Sequence, residues 1–163
     1  MFKQIVMSTM LLAAPTALLA QSQPAALPAA AQANQPLTPQ QSAAIRQQDE
    51  TMERGAEQVA QMVDQGRIGE VWDGSSSIAK QTVTRDAFVK QVTADRTQVG
   101  KLVSRRFSDI GRRESKGGDP PAGFYISVRF ATQFANEKRP VREMVSFHLD
   151  SDKIWRVSGY TLR

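Results

Sequence analysis

The sequence predicts an α+β domain in which helices precede a curved four-stranded antiparallel sheet. Two observations carry that expectation. Apolar residues recur mainly at three- and four-residue steps before Gly100 and at two-residue steps well beyond it. The alternating segments are separated by clusters rich in Gly, Pro, Asn and Asp, which join consecutive strands as turns. Strands linked in this way form an antiparallel meander, and only the helices can cover its apolar face.

The first residues lie outside that domain. Lys3 gives a short positive start, and Ile5 to Ala20 is uncharged and rich in apolar and small residues. The run is shorter than the about 20 apolar residues that a membrane helix needs, so residues 1–20 read as a secretory signal. Cleavage is expected after Ala20, with the small-x-small set Ala31-Gln32-Ala33 as the alternative. Residues 21–41 are mostly Ala, Gln and Pro and read as a disordered spacer. Residues 42–163 then form a single α+β domain. These features imply a periplasmic or secreted protein with no transmembrane segment after cleavage.

Within the domain, Thr38-Pro39-Gln40-Gln41 starts a helix, with Thr as cap, Pro at the first position and Gln three residues on. Ile45, Met52, Ala56, Val59, Ala60, Met62 and Val63 are its apolar residues, falling mainly at three- and four-residue steps from Met52 onward, while Gln47 to Arg54 is highly polar and is expected to project past the core. Gly66 ends it. Ile68, Val71 and Trp72 suggest a short second helix, and Asp73-Gly74-Ser75-Ser76-Ser77 reads as a turn. Thr84 caps a further helix that stops near Gly100. Leu102 to Ile110 is a weak strand interrupted by Arg105 and Arg106. Phe124 to Ala131, Val141 to Leu149 and the segment from Trp155 are stronger ones.

The composition excludes several functions. With no Cys among 163 residues, there is no disulfide scaffold, thiolate metal site, cysteine nucleophile or cysteine-anchored lipoprotein. A single His weakens any mechanism that needs two imidazoles. The spacing of Asp150 and Asp152 lacks the remaining ligands of a calcium loop, so they read as turn residues. No metal, cofactor or catalytic residue is assigned.

The residues resemble a known set. Met62-Val63-Asp64-Gln65-Gly66 followed by Val71-Trp72 is similar to the opening of the bacterial family called domain of unknown function 4019. Gly100 with Ser104-Arg105, the pair Val141 and Glu143, and the ending Trp155-Arg156-Val157-Ser158-Gly159-Tyr160 continue the likeness. The resemblance implies a cystatin-like, or nuclear transport factor 2-like, cone fold and export, and it implies no activity.

Four groups of residues are candidates for function. Strand alternation puts Glu143 on the face of Val141, Val145 and Phe147, where a carboxylate must be paired or line a cavity. Arg105 shares the parity of Val103 and Phe107, so the first reading is a structural Glu143–Arg105 pair. The sharper alternative is a pocket acid, with Trp72 and Trp155 lining the same cavity. Lys101, Arg106, Arg112 and Arg113 form a candidate anion-binding strand for envelope polyanions. Without a base-stacking platform, nucleic acid is not expected. The outer sheet face, with Tyr125, Arg129, Ser146 and His148, is a candidate homodimer surface. Gly159 is expected on the Trp155–Val157 face, where it would admit a large neighbour.

Together these suggest a non-enzymatic binding or accessory module of the cell envelope, taking an unknown small molecule or envelope component. An enzyme using Glu143 and a polyanion-binding protein using residues 101–113 are the alternatives.

Overall fold

Residues 36–163 are described by a computed structural model. The signal and most of the spacer fall outside these residues. Helix α1 (Pro39–Asp64) opens with the expected capping box. Thr38 Oγ1 accepts from the Gln41 backbone N–H at 3.2 Å, and Gln41 Oε1 accepts from that of Thr38 at 2.8 Å. Met52, Ala56, Val59, Ala60 and Val63 are its buried residues, one stripe at three- and four-residue spacing.

Gly66, at φ 75°, turns the chain into α2 (Ile68–Asp73). The segment read as a turn does turn at Gly74 and Ser75, and from its last serine a further helix starts, α3 (Ser77–Thr82), capped by the Ser76 side chain on the Ala79 N–H. Only six residues long and with Ala79 as its one buried residue, it has no apolar stripe to announce it. Helix α4 (Arg85–Val99) begins at the Thr84 cap and ends at Gly100, as expected.

The sheet consists of β1 (Leu102–Ser115), β2 (Gly123–Phe134), β3 (Val141–Leu149) and β4 (Trp155–Leu162). Its spatial order is β1-β2-β3-β4, each neighbouring pair antiparallel. This is the α+β meander that the sequence predicts. Strand β1 is longer than expected, because pairing with β2 continues past Ile110 to Ser115. The core lies between one sheet face and the helices. It joins the α1 stripe, Ile68 and Val71 to Ile126, Val128, Phe130, Val145 and Phe147.

Three irregularities adjust which side chains face inward. In β1, shifts at Val103 and Ser108 interrupt the register with β2. In β4, Val157 pairs with Phe147 and Gly159 with Ser146, leaving Ser158 as the extra residue. Alternation therefore changes phase at Ser158. Gly159 lies opposite Ser146 on the outer face, and Tyr160 opposite Val145 on the inner one. The expectation of a close neighbour at Gly159 is corrected: a Cβ there would meet only Ser146 Cβ, at 4.0 Å.

Candidate functional site

Glu143 sits in the middle of the inner face at 0% exposure. Its Oε2 accepts from Arg105 Nε at 2.6 Å and from Thr132 Oγ1 at 2.6 Å. Its Oε1 accepts from Arg105 Nη2 at 3.0 Å and from the Tyr160 hydroxyl at 2.7 Å. A carboxylate has about four lone-pair positions, and protein donors occupy all of them. One residue comes from each strand: Arg105 from β1, Thr132 from β2, Glu143 from β3 and Tyr160 from β4.

The network continues toward the helices. Arg105 Nη2 also donates to Asp64 Oδ2 at 2.9 Å, and Arg96 Nη2 donates to Asp64 Oδ1 at 2.9 Å. The Arg96 guanidinium lies 4.3 Å from the centroid of the Phe134 ring. Two carboxylates and two guanidiniums thus balance within the interior, as buried charge requires. Burial opposes the charge on Arg105, but the bonds to Glu143 and Asp64 outweigh it and raise its pKa. Burial, followed by the charge of Glu143 and the bond to it, pushes the Tyr160 hydroxyl well above its ordinary value of 10.0.

The Glu143–Arg105 contact expected from strand parity is present. Asp64, Arg96, Thr132 and Tyr160 were not among the candidates. Tyr160 escaped because strict alternation from Trp155 puts it on the outer face, and nothing in the sequence marks the irregularity at Ser158.

The other candidates are dispersed. Trp72 donates its indole N–H to Val83 O at 3.2 Å and lies under Lys80, whose Nζ is 5.3 Å from the ring centroid. Trp155 pairs with Leu149, at the far end of β3 from Glu143. At about 3.4 Å per residue that is roughly 20 Å away, so Trp155 and Glu143 do not share a pocket.

The basic strand divides as well. Lys101 lines a 520 Å³ cavity whose wall includes Asp64 and Arg96. Arg106 pairs with Ala131 in the sheet and is exposed. Arg112 reaches α1, donating to Gln48 at 3.2 Å and forming an ion pair with Asp49. The polar half of α1 is therefore engaged at this point. Arg113 lies with Arg112 beside a second cavity, of 480 Å³.

His148 and Tyr125 are buried within the chain rather than offered to a partner, at 6% and 8% exposure. The Tyr125 hydroxyl donates to Pro121 O at 2.9 Å, and its ring centroid is 5.0 Å from that of His148. His148 Nδ1 is 2.8 Å from Asp150 Oδ1, and Arg156 Nη1 donates to Asp150 Oδ2 at 3.0 Å. Gly123 leaves room for the other edge of the imidazole, since a Cβ there would collide with His148 Nε2. Asp150 and Asp152 are more than turn formers, because both hold Arg156. Arg129 is paired with Asp109, and the Ser146 and Ser127 hydroxyls are 3.0 Å apart.

Fold and site together define a small α+β domain whose inner sheet face is locked by a charge-balanced ion-pair network. The chain belongs to the family described as Protein of unknown function (DUF4019), which it matches over residues 55–160. Every member of the Glu143 network lies within that span. No curated protein matches the chain. Among the described residues, no helix is long and apolar enough to cross a membrane.

Proposed function

We propose that this chain is an exported, non-enzymatic binding or accessory module of the cell envelope, built on a cystatin-like or nuclear transport factor 2-like cone. The observation that carries the non-enzymatic part is the saturation of Glu143. A general base needs a free lone pair within reach of substrate. Glu143 has four protein donors and no exposed surface. It acts as a structural clamp between strands, which disfavours the pocket-acid alternative. The polyanion alternative loses support because Lys101, Arg106, Arg112 and Arg113 lie in separate settings and Arg112 is already held by Asp49. Export rests on the apolar run from Ile5 to Ala20 and the spacer after it.

Binding finds support in the concave surfaces that remain beside the network. Native mass spectrometry of the full chain after incubation with cell extract tests it. A retained non-protein mass is expected, and a bare chain under every extract condition would sink the binding reading.

A further inference from the structure

We infer that a row of arginines across the outer face of the sheet binds a linear chain of linked phosphate groups. This deepens the binding reading above and rests on it.

The row follows from the strand register. Arg106 pairs with Ala131, Ala131 with Arg142, and Arg142 with Arg163 through reciprocal backbone bonds of 2.7 and 2.9 Å. One step along the strands, Phe107, Phe130, Glu143 and Leu162 form the neighbouring row, and the burial of Phe130 and Glu143 marks it as the inner face. Side chains alternate between faces, so Arg106, Ala131, Arg142 and Arg163 belong to the outer one. All four are exposed. At about 4.8 Å per strand the row is about 15 Å long.

Its charge has no counterpart within the fold. Arg129 and Arg156, on the same face, are held by Asp109 and by Asp150 and Asp152. Arg106, Arg142 and Arg163 form no ion pair among the described residues. Asp95 and Glu137 line a cavity with Arg163 without bonding to it. Like charges opposite one another destabilise a sheet, so the row leaves a repulsion for an anion from outside to relieve.

The shape of the row sets the class of anion. Guanidinium forks on neighbouring strands match phosphate, whose oxygens can be shared between two forks. Ala131, small and between Arg106 and Arg142, leaves room for a chain to cross the strands. The flanking rows carry no net charge: Ser104 and Gln133 on one side, the Asp109–Arg129 pair with Met144 and Thr161 on the other. A bilayer would call for cations spread over the whole face, and nucleic-acid bases for an aromatic platform. A line of cations one residue wide fits a linear polymer. Only Arg106 is shared with the basic strand 101–113, because the row crosses the strands instead of following β1.

Calorimetric titration of the full chain with long-chain inorganic polyphosphate tests the assignment. Tripolyphosphate, pyrophosphate, polyglutamate, a thymidine oligonucleotide and anionic vesicles are run alongside. Long-chain polyphosphate should bind most tightly, then tripolyphosphate, then pyrophosphate, and binding should weaken steeply with salt. Arg106→Gln and Arg142→Gln should each weaken it by up to about fivefold, as for exposed ion pairs, and make the salt dependence shallower. Urea unfolding of Arg142→Gln should show no loss of stability, because the variant removes an opposed like charge. Arg113→Gln, on the same face but roughly 20 Å along β1 from Arg106, should leave binding unchanged.

An equal loss in Arg113→Gln, no gain with chain length, or tighter binding to polyglutamate, the oligonucleotide or the vesicles would overturn the inference. If polyphosphate fails while native mass spectrometry still shows a retained mass, only this surface and ligand class fall. If both fail, the binding reading falls with them.

Discussion

Removing a carboxylate from water costs several kcal/mol, and at Glu143 that cost is offset by two bonds from one guanidinium and one from each of two hydroxyls. Tyr160 is the donor with the clearest pH signature. Burial, with the Glu143 charge second, raises its folded pKa above the ordinary 10.0, so the folded state keeps this proton longer than the unfolded chain does. The contribution is therefore complete below the unfolded value and is lost as pH rises beyond it. Urea unfolding between pH 8 and 11 should show stability falling above pH 10 in the wild type. Tyr160→Phe should flatten that fall, leaving a smaller remainder from Tyr125, whose pKa burial also raises. At neutral pH the same variant should lose about 1–3 kcal/mol, the cost of a missing donor at a buried acceptor. A fall as steep as that of the wild type would remove Tyr160 from the network.

The elements show why some of this site was legible in the sequence and some was not. Glu143 alternates regularly with Val145 and Phe147, and Arg105 keeps the phase of Phe107 between the shifts at Val103 and Ser108, so period-two reasoning places both inward. Asp64 looked like a polar residue at the end of a helix, and only the docking of α1 beside Arg96 and Arg105 gives it a role. Tyr160 follows an extra residue, and a one-residue shift moves a side chain to the other face. That geometry has an unusual consequence. Deleting Ser158 should restore regular pairing and leave Tyr160 facing Glu143, with cooperative unfolding retained. Deleting Ser146 from β3 should instead put Val145 and Glu143 out of phase with Phe147 and abolish cooperative melting. Similar losses from both deletions would contradict the assigned register.

At the scale of the whole molecule, the helix-then-sheet order was legible because the change of period near Gly100 is a property of long segments. The fate of the basic residues was not. Their neighbours in space are Asp49 of α1, the wall of one cavity and the rim of another, none of which strand order reveals. The proposed export predicts that intact mass measured on envelope-fraction protein begins at Gln21, or at Asn34 if the alternative site is used. A chain retaining Met1 in the cytosolic fraction would oppose it. The most direct test of the account concerns Glu143 as a structural clamp. Urea unfolding of Glu143→Gln at pH 7 should show a loss of about 3–5 kcal/mol, because the change removes one of the two carboxylates that balance the buried guanidiniums of Arg105 and Arg96 and leaves Asp64 alone to do so. Wild-type stability in that variant, together with loss of the mass retained in native spectra, would contradict the account and make Glu143 a ligand-contacting acid.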